Sequence, residues 1–224
     1  MQTNCIRSAW LALGLIFSQA APAYDVSLSP QAVREAYFLG QRNDEKTAAF
    51  LSKYVERLAL PKSGPYVTEI EILTPVAQVV QISRSRTIGY SAQQAEQDYR
   101  ERGDTLRLRV LIRFTPTYAL QSAFSSSQKA TGRTGLALRA EDFWRDFAFH
   151  FTQRQDGKEK TVDPFDVWSD PYYVRHSKGG SVLDGAEVWL LLDAAEIASN
   201  TAKIEVLTPD GQHVTAEFDL EKLR

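Results

Sequence analysis

The sequence predicts a mainly β protein: an antiparallel β-sandwich, immunoglobulin-like in character, with an N-terminal helical hairpin and one short extra helix. Three observations lead there. Ile204 and Val206 face one way, and after Thr208-Pro209-Asp210-Gly211 the residues Val214, Ala216, Phe218 and Leu220 alternate with polar neighbours. Such period-two patterning marks a strand with one buried face. The tetrapeptide is a turn with a mechanism, since Pro presets φ, Asp bonds its own backbone and Gly supplies positive φ. Second, the phrase recurs: residues 70–80 match residues 204–214 at seven of eleven positions. A second hairpin over residues 66–83 is expected from it, by internal duplication or as a repeated local solution. Third, Leu106, Leu108, Val110, Ile112 and Phe114 alternate with Arg107, Arg109 and Arg113, a strand with a core face and an arginine face.

At the start of the chain, Arg7, the apolar run Ala9 to Phe17 and Ala21-Pro22-Ala23 read as a secretory signal peptide over residues 1–23. Nine apolar residues cannot span a bilayer, which needs about 20, and no later run reaches that length. No transmembrane segment is therefore expected. Cys5, the one cysteine, leaves with the leader, so disulfide and thiol chemistry are excluded from the mature chain. Export to the periplasm or medium is the expected localisation.

Ser29-Pro30 supplies an N-cap and a first-turn proline, and Gly40 can close the helix. A second helix starts near Asn43 or Asp44 and carries Phe50, Leu51, Tyr54, Val55 and Leu58 before Pro61. Residues 24–60 are thus expected to form a helical hairpin packed on the sheet, with residues 61–224 as the sandwich domain. In the hairpin expected over residues 66–83, Val76-Ala77 replaces Asp-Gly and makes an apolar tip that needs cover. Ser91, Gln94 and Gly103 bracket the short extra helix.

The arginine row of residues 107–113 suits either an anionic polymer or the carboxylates of Glu69 and Glu71 on a neighbouring strand. Residues 121–139, rich in Ser, Thr and Gly, read as a long loop. Phe147, Phe149 and Phe151 form an aromatic stripe in a strand expected over residues 143–153, and Asp156-Gly157 turns it into residues 160–162. The segment 163–173, with Pro164 and Pro171, is expected to be irregular. Residues 186–192 are apolar on both faces, as in a covered central strand, and residues 193–199 make one helical turn.

A net charge of −2 and a pI near 6.0 leave no basic field to gather nucleic acid. No phosphate loop, dinucleotide fingerprint, zinc-protease helix or nucleophile elbow is present. His150, His176 and His213 fall in separate elements, without the short-spaced pair a zinc site uses. No catalytic, cofactor or metal residue is assigned. The candidate ligand contacts are Asp163, Asp166, Trp168, Asp170 and Tyr172. Aromatics offer rings to apolar sugar faces and carboxylates accept from hydroxyls, whereas calcium would need the three aspartates on one ion.

Glu35-Ala36-Tyr37-Phe38-Leu39-Gly40-Gln41-Arg42-Asn43-Asp44, together with Thr74-Pro75 and Gln78-Val79-Val80, resembles a group of exported bacterial proteins of unassigned function. The resemblance implies a bacterial source and export, and carries no activity. The expected function is a non-enzymatic binding or scaffolding protein of the envelope or secretome, with an envelope protein or a glycan as partner. The alternative is a hydrolase acting on extracellular polysaccharide or peptide.

Overall fold

The computed structural model describes residues 25–86, 88–116, 141–155, 158–175 and 181–223. The proposed leader, the 121–139 segment, His176 and the Asp156-Gly157 turn lie outside them. The described chain is mainly antiparallel β, in two sheets, with several helices.

The first sheet has five strands in the order β1 (Val55–Arg57), β2 (Pro65–Leu73), β3 (Thr105–Phe114), β7 (Ser181–Asp193) and β6 (Asp166–Arg175). The second has four, β5 (Lys158–Val162), β4 (Ala148–Gln155), β8 (Thr201–Leu207) and β9 (His213–Asp219). The β3 strand spans the residues its alternation predicted. β8 and β9 form the expected hairpin, with Leu207 opposite His213 and Gly211 at φ +85°. Alternate residues of both sheets enter one apolar core. Ile70, Ile72, Leu106, Leu108 and Ile112 come from the first sheet, and Phe147, Phe151, Ile204, Val206 and Phe218 from the second or its approach. Burying each such side chain contributes about 1.5–3 kcal/mol, so alternation in sequence becomes the main cohesive term between the sheets.

The helices form a smaller core of their own from Val33, Ala36, Leu51, Val76, Val79, Val80, Ala95 and Tyr99. Helix α1 (Pro30–Arg42) begins as expected, Ser29 Oγ accepting from the Ala32 amide at 3.2 Å. It does not close at Gly40. Asn43 takes the left-handed cap at φ 46°, and Gly40 instead lets another helix approach. A Cβ there would lie 2.4 Å from the Val80 carbonyl oxygen.

That other helix is the main correction. Residues 66–83 are not a hairpin: β2 runs to Leu73 and α3 (Pro75–Ser85) comes next. Thr74 is its N-cap, its hydroxyl accepting from the Ala77 amide, and Pro75 occupies the first turn. Without Asp-Gly nothing supports positive φ after Thr-Pro, and Val76, Val79, Val80 and Ser83 recur at helical spacing on the buried side. Two helices, α3 and α4 (Ala92–Arg102), thus succeed the N-terminal pair, where one was expected.

Three boundaries also differ. Helix α2 (Glu45–Ser52) stops early, and Val55–Arg57 joins β2 as an edge strand because the β2 backbone needs partners on that side. The Phe143 region starts with a 3-10 turn, Phe143–Asp146, before β4. Most of the segment expected to be irregular is β6. Pro171 is tolerated because, among the described residues, β6 pairs only with β7, and an edge strand can carry a proline whose missing N–H would face away from the ladder.

Candidate functional site

Opposite the shared core, the five-stranded sheet presents a second face built by register. Asp166, Trp168, Asp170 and Tyr172 of β6 lie across from Leu191, Trp189, Glu187 and Gly185 of β7. Those in turn lie across from Arg107, Arg109, Leu111 and Arg113 of β3, and β2 adds Glu71 opposite Arg109. The sequence alternation of four strands therefore composes one surface of arginines, carboxylates and aromatic rings. α3 covers part of its β2–β3 side. Gln81 Nε2 donates to Glu71 Oε1 at 3.4 Å, and Gln78 Nε2 donates to the carbonyls of Leu73 and Thr105 at 3.1 and 2.6 Å.

Arg109 is the hub. Its guanidinium pairs with Glu69, lies 2.7 Å from Glu71 Oε2 and 3.6 Å from Glu187 Oε1, and stands 5.8 Å from the Trp189 ring centre. Of the two expectations for the arginine row, the carboxylate pairing thus holds for Arg109. Burial raises the pKa of Glu71 despite the adjacent Arg109 charge, which acts to lower it. Beyond Arg109, the Trp189 and Trp168 rings lie 6.1 Å apart with planes 13° from parallel. Arg113 sits 3.3 Å over the Tyr172 ring centre and 3.7 Å from Asp184.

Four of the five candidate contacts, Asp166, Trp168, Asp170 and Tyr172, share this face. Asp163 lies apart, exposed in the connection before β6. Along a strand, Asp166 and Asp170 are about 13 Å apart, so the three aspartates do not surround one calcium ion. Among the described residues no group of three His, Cys, Asp or Glu side chains is placed to hold a metal ion. Sequence reading missed Trp189, Glu187 and the partnership of Arg113 with Tyr172. Their signal was present as alternation in residues 186–192, but the register that brings them beside Trp168 spans residues distant in sequence.

The second sheet has a different outer face. His150 lies opposite Glu205, and His213 Nε2 is 4.0 Å from Glu205 Oε1, so two histidines assigned to separate elements flank one carboxylate. Lys203 takes that carboxylate more closely, at 2.6 Å, and is the first cause of its lowered pKa.

Comparison of the chain with protein-family models, curated proteins and solved structures found no match. Fold and face define a two-sheet antiparallel protein with a helical flank and an aromatic, arginine-bearing sheet surface. Among the described residues, no helix is long and apolar enough to cross a membrane.

Proposed function

We propose that this protein is an exported, non-enzymatic binding or scaffolding component of a bacterial envelope or secretome. In this reading residues 1–23 are a removed signal peptide, and the two sheets form a β-sandwich of immunoglobulin-like character. The binding surface is the outer face of the five-stranded sheet over β6 and β7, and its partner is a glycan or an envelope protein. One observation carries the reading: Trp168, Asp170 and Tyr172 stand at alternate positions of one strand with Trp189 and Glu187 directly across. Such a row offers rings for the apolar faces of sugars and carboxylates for their hydroxyls along an extended ligand. The sheet holds these groups at fixed spacing, which lowers the ordering cost of binding.

The hydrolase alternative draws on Asp170, which lies opposite Glu187 beside Tyr172. A retaining glycosidase uses two carboxyl groups about 5–5.5 Å apart. Against it, Glu187 is engaged by Arg109, and the pair lies on a strand face. Co-sedimentation with isolated cell-wall polysaccharide, read with tryptophan fluorescence, tests both. Binding by the wild type that is lost in W168A and in Y172A, with no reducing ends released, supports the binding role. Sugar release abolished by D170N or E187Q would replace it with the hydrolase. Wild-type-like binding by W168A and Y172A would remove the proposed surface.

A further inference from the structure

The cations of the outer face are committed, and two of its carboxylates are not. Arg109 is shared by Glu69, Glu71 and Glu187, and Arg113 lies between Asp184 and the Tyr172 ring. Asp166 and Asp170 of β6 are exposed and have no ion pair among the described residues. Asp170 also lies directly opposite Glu187 of β7. Like charges at directly opposed positions destabilise a sheet. Arg109 relieves this pair only in part, since it reaches Glu187 at 3.6 Å and lies closer to Glu69 and Glu71.

The rings beside this pair already take cations. Arg109 stands 5.8 Å from the Trp189 ring centre, and Arg113 3.3 Å over that of Tyr172. Trp168, stacked on Trp189, and Tyr172 each stand two residues from Asp170, about 6–7 Å along a strand. Both belong to the last described strand of their sheet, where Tyr172 is 39% exposed and Trp168 half-buried. A ring face attracts a cation through its quadrupole, so a ligand cation here would meet two opposed carboxylates and two rings at once. Calcium fits poorly, because it takes about six to eight oxygens. A carboxylated or sulfated chain would bring like charge to Asp166, Asp170 and Glu187. An ammonium carried on a sugar ring satisfies both features, the charge meeting the carboxylates and the apolar sugar face meeting the indole.

We propose, resting on the glycan-binding reading of this face, that its ligand is an amino-sugar polymer with free amines, whose ammonium groups are held by Asp170 and Glu187 between Trp168 and Tyr172.

Isothermal titration of the purified protein with a glucosamine oligomer, the fully N-acetylated oligomer of the same length and a lysine oligomer of the same charge tests it, at a pH where the amines are charged. The glucosamine oligomer should bind about tenfold tighter than the acetylated one, the combined effect of one exposed cation–π contact and one exposed ion pair. Added salt should shrink that preference. D170N should cut it to about threefold or less, and the charge-retaining D170E should keep most of it, a rescue that a general loss of folding would not give. W168A should weaken both sugars. Equal binding of the two sugars by the wild type, with W168A weakening both, overturns the amine assignment and leaves the glycan-binding face standing. Binding of neither removes the face and the assignment together. A lysine oligomer bound as tightly as the glucosamine oligomer, in the same Asp170-dependent way, overturns the sugar in favour of a basic peptide. A preference undiminished in D170N overturns the site.

Discussion

Replacing Arg109 by Met tests how the outer face is held together. The substitution keeps an apolar stem and removes the charge shared by Glu69, Glu71 and Glu187. These three do not lose equally. Glu187 has 34% of its side chain exposed, where an ion pair is worth about 0–1 kcal/mol. Glu69 retains Arg57 at 3.4 Å. Glu71, with 5% exposed, is left enclosed, and removing one partner of a buried pair costs about 3–5 kcal/mol. Loss of the contact with Trp189 adds about 0.5–1 kcal/mol. About 4 kcal/mol is a large share of the roughly 5–15 kcal/mol that keeps a domain folded.

The pH dependence of that loss has a definite sign. Burial is the first influence on Glu71 and raises its pKa above 4.5, while Arg109 opposes the rise. In R109M the folded-state pKa goes higher still. A raised folded pKa contributes stability that is full below the unfolded value and lost as pH climbs through the folded one. The deficit of R109M should therefore be small near pH 4.5 and grow toward neutrality. Urea midpoints of wild type, R109M and E71Q/R109M between pH 4.5 and 8 measure it, the double variant recovering most of the loss. A deficit under about 1 kcal/mol, a deficit flat with pH, or no recovery in E71Q/R109M would refute the assignment of the cost to Glu71.

Three further outcomes are expected. G40A places a Cβ 2.4 Å from the Val80 carbonyl oxygen and 2.7 Å from Ser83 Cβ, so α1 and α3 must separate, and circular-dichroism melts should show a loss of about 1–3 kcal/mol. At matched positions of the repeated phrase, A77G and G211A should each destabilise by about 1 kcal/mol for opposite reasons. The first loosens a helix, and the second forces a side chain onto φ +85°. W168A gives up about 0.5–1.5 kcal/mol of ring contact with Trp189 and should still fold, with its effect concentrated in polysaccharide co-sedimentation.

The repeated phrase marks how far local chemistry could be read. Both copies give a strand ending at Leu-Thr-Pro, and in both the threonine hydroxyl accepts a backbone N–H, from Ala77 in one and from Gln212 in the other. Thr-Pro ends the strand either way, since Pro lacks a ladder donor and fixes its own φ. The two residues after the proline select between a reversal and a helix. Asp210-Gly211 permits the positive φ that reverses the chain, whereas Val76-Ala77 favours staying in the helical region. The seven identities were therefore informative about the strand and its stop, and silent about the element after it. The decisive signal was the helical spacing of residues 76, 79, 80 and 83.

Register explains why the candidate site was only half visible. The alternation of β6 and β7 could place Trp168 and Trp189 on faces of their own strands, but only pairing puts one beside the other. The same pairing carries the charge pattern. Arg109 lies opposite Glu71 and next to Glu187, so three carboxylates share its charge. Arg107, one row away, lies between Leu73 and Leu191 in the register and gains no carboxylate there. Two arginines of one strand face, equal in sequence, are thus a hub of three carboxylates in one case and without an ion pair among the described residues in the other. The difference comes from which residue the neighbouring strands set at each end of the row.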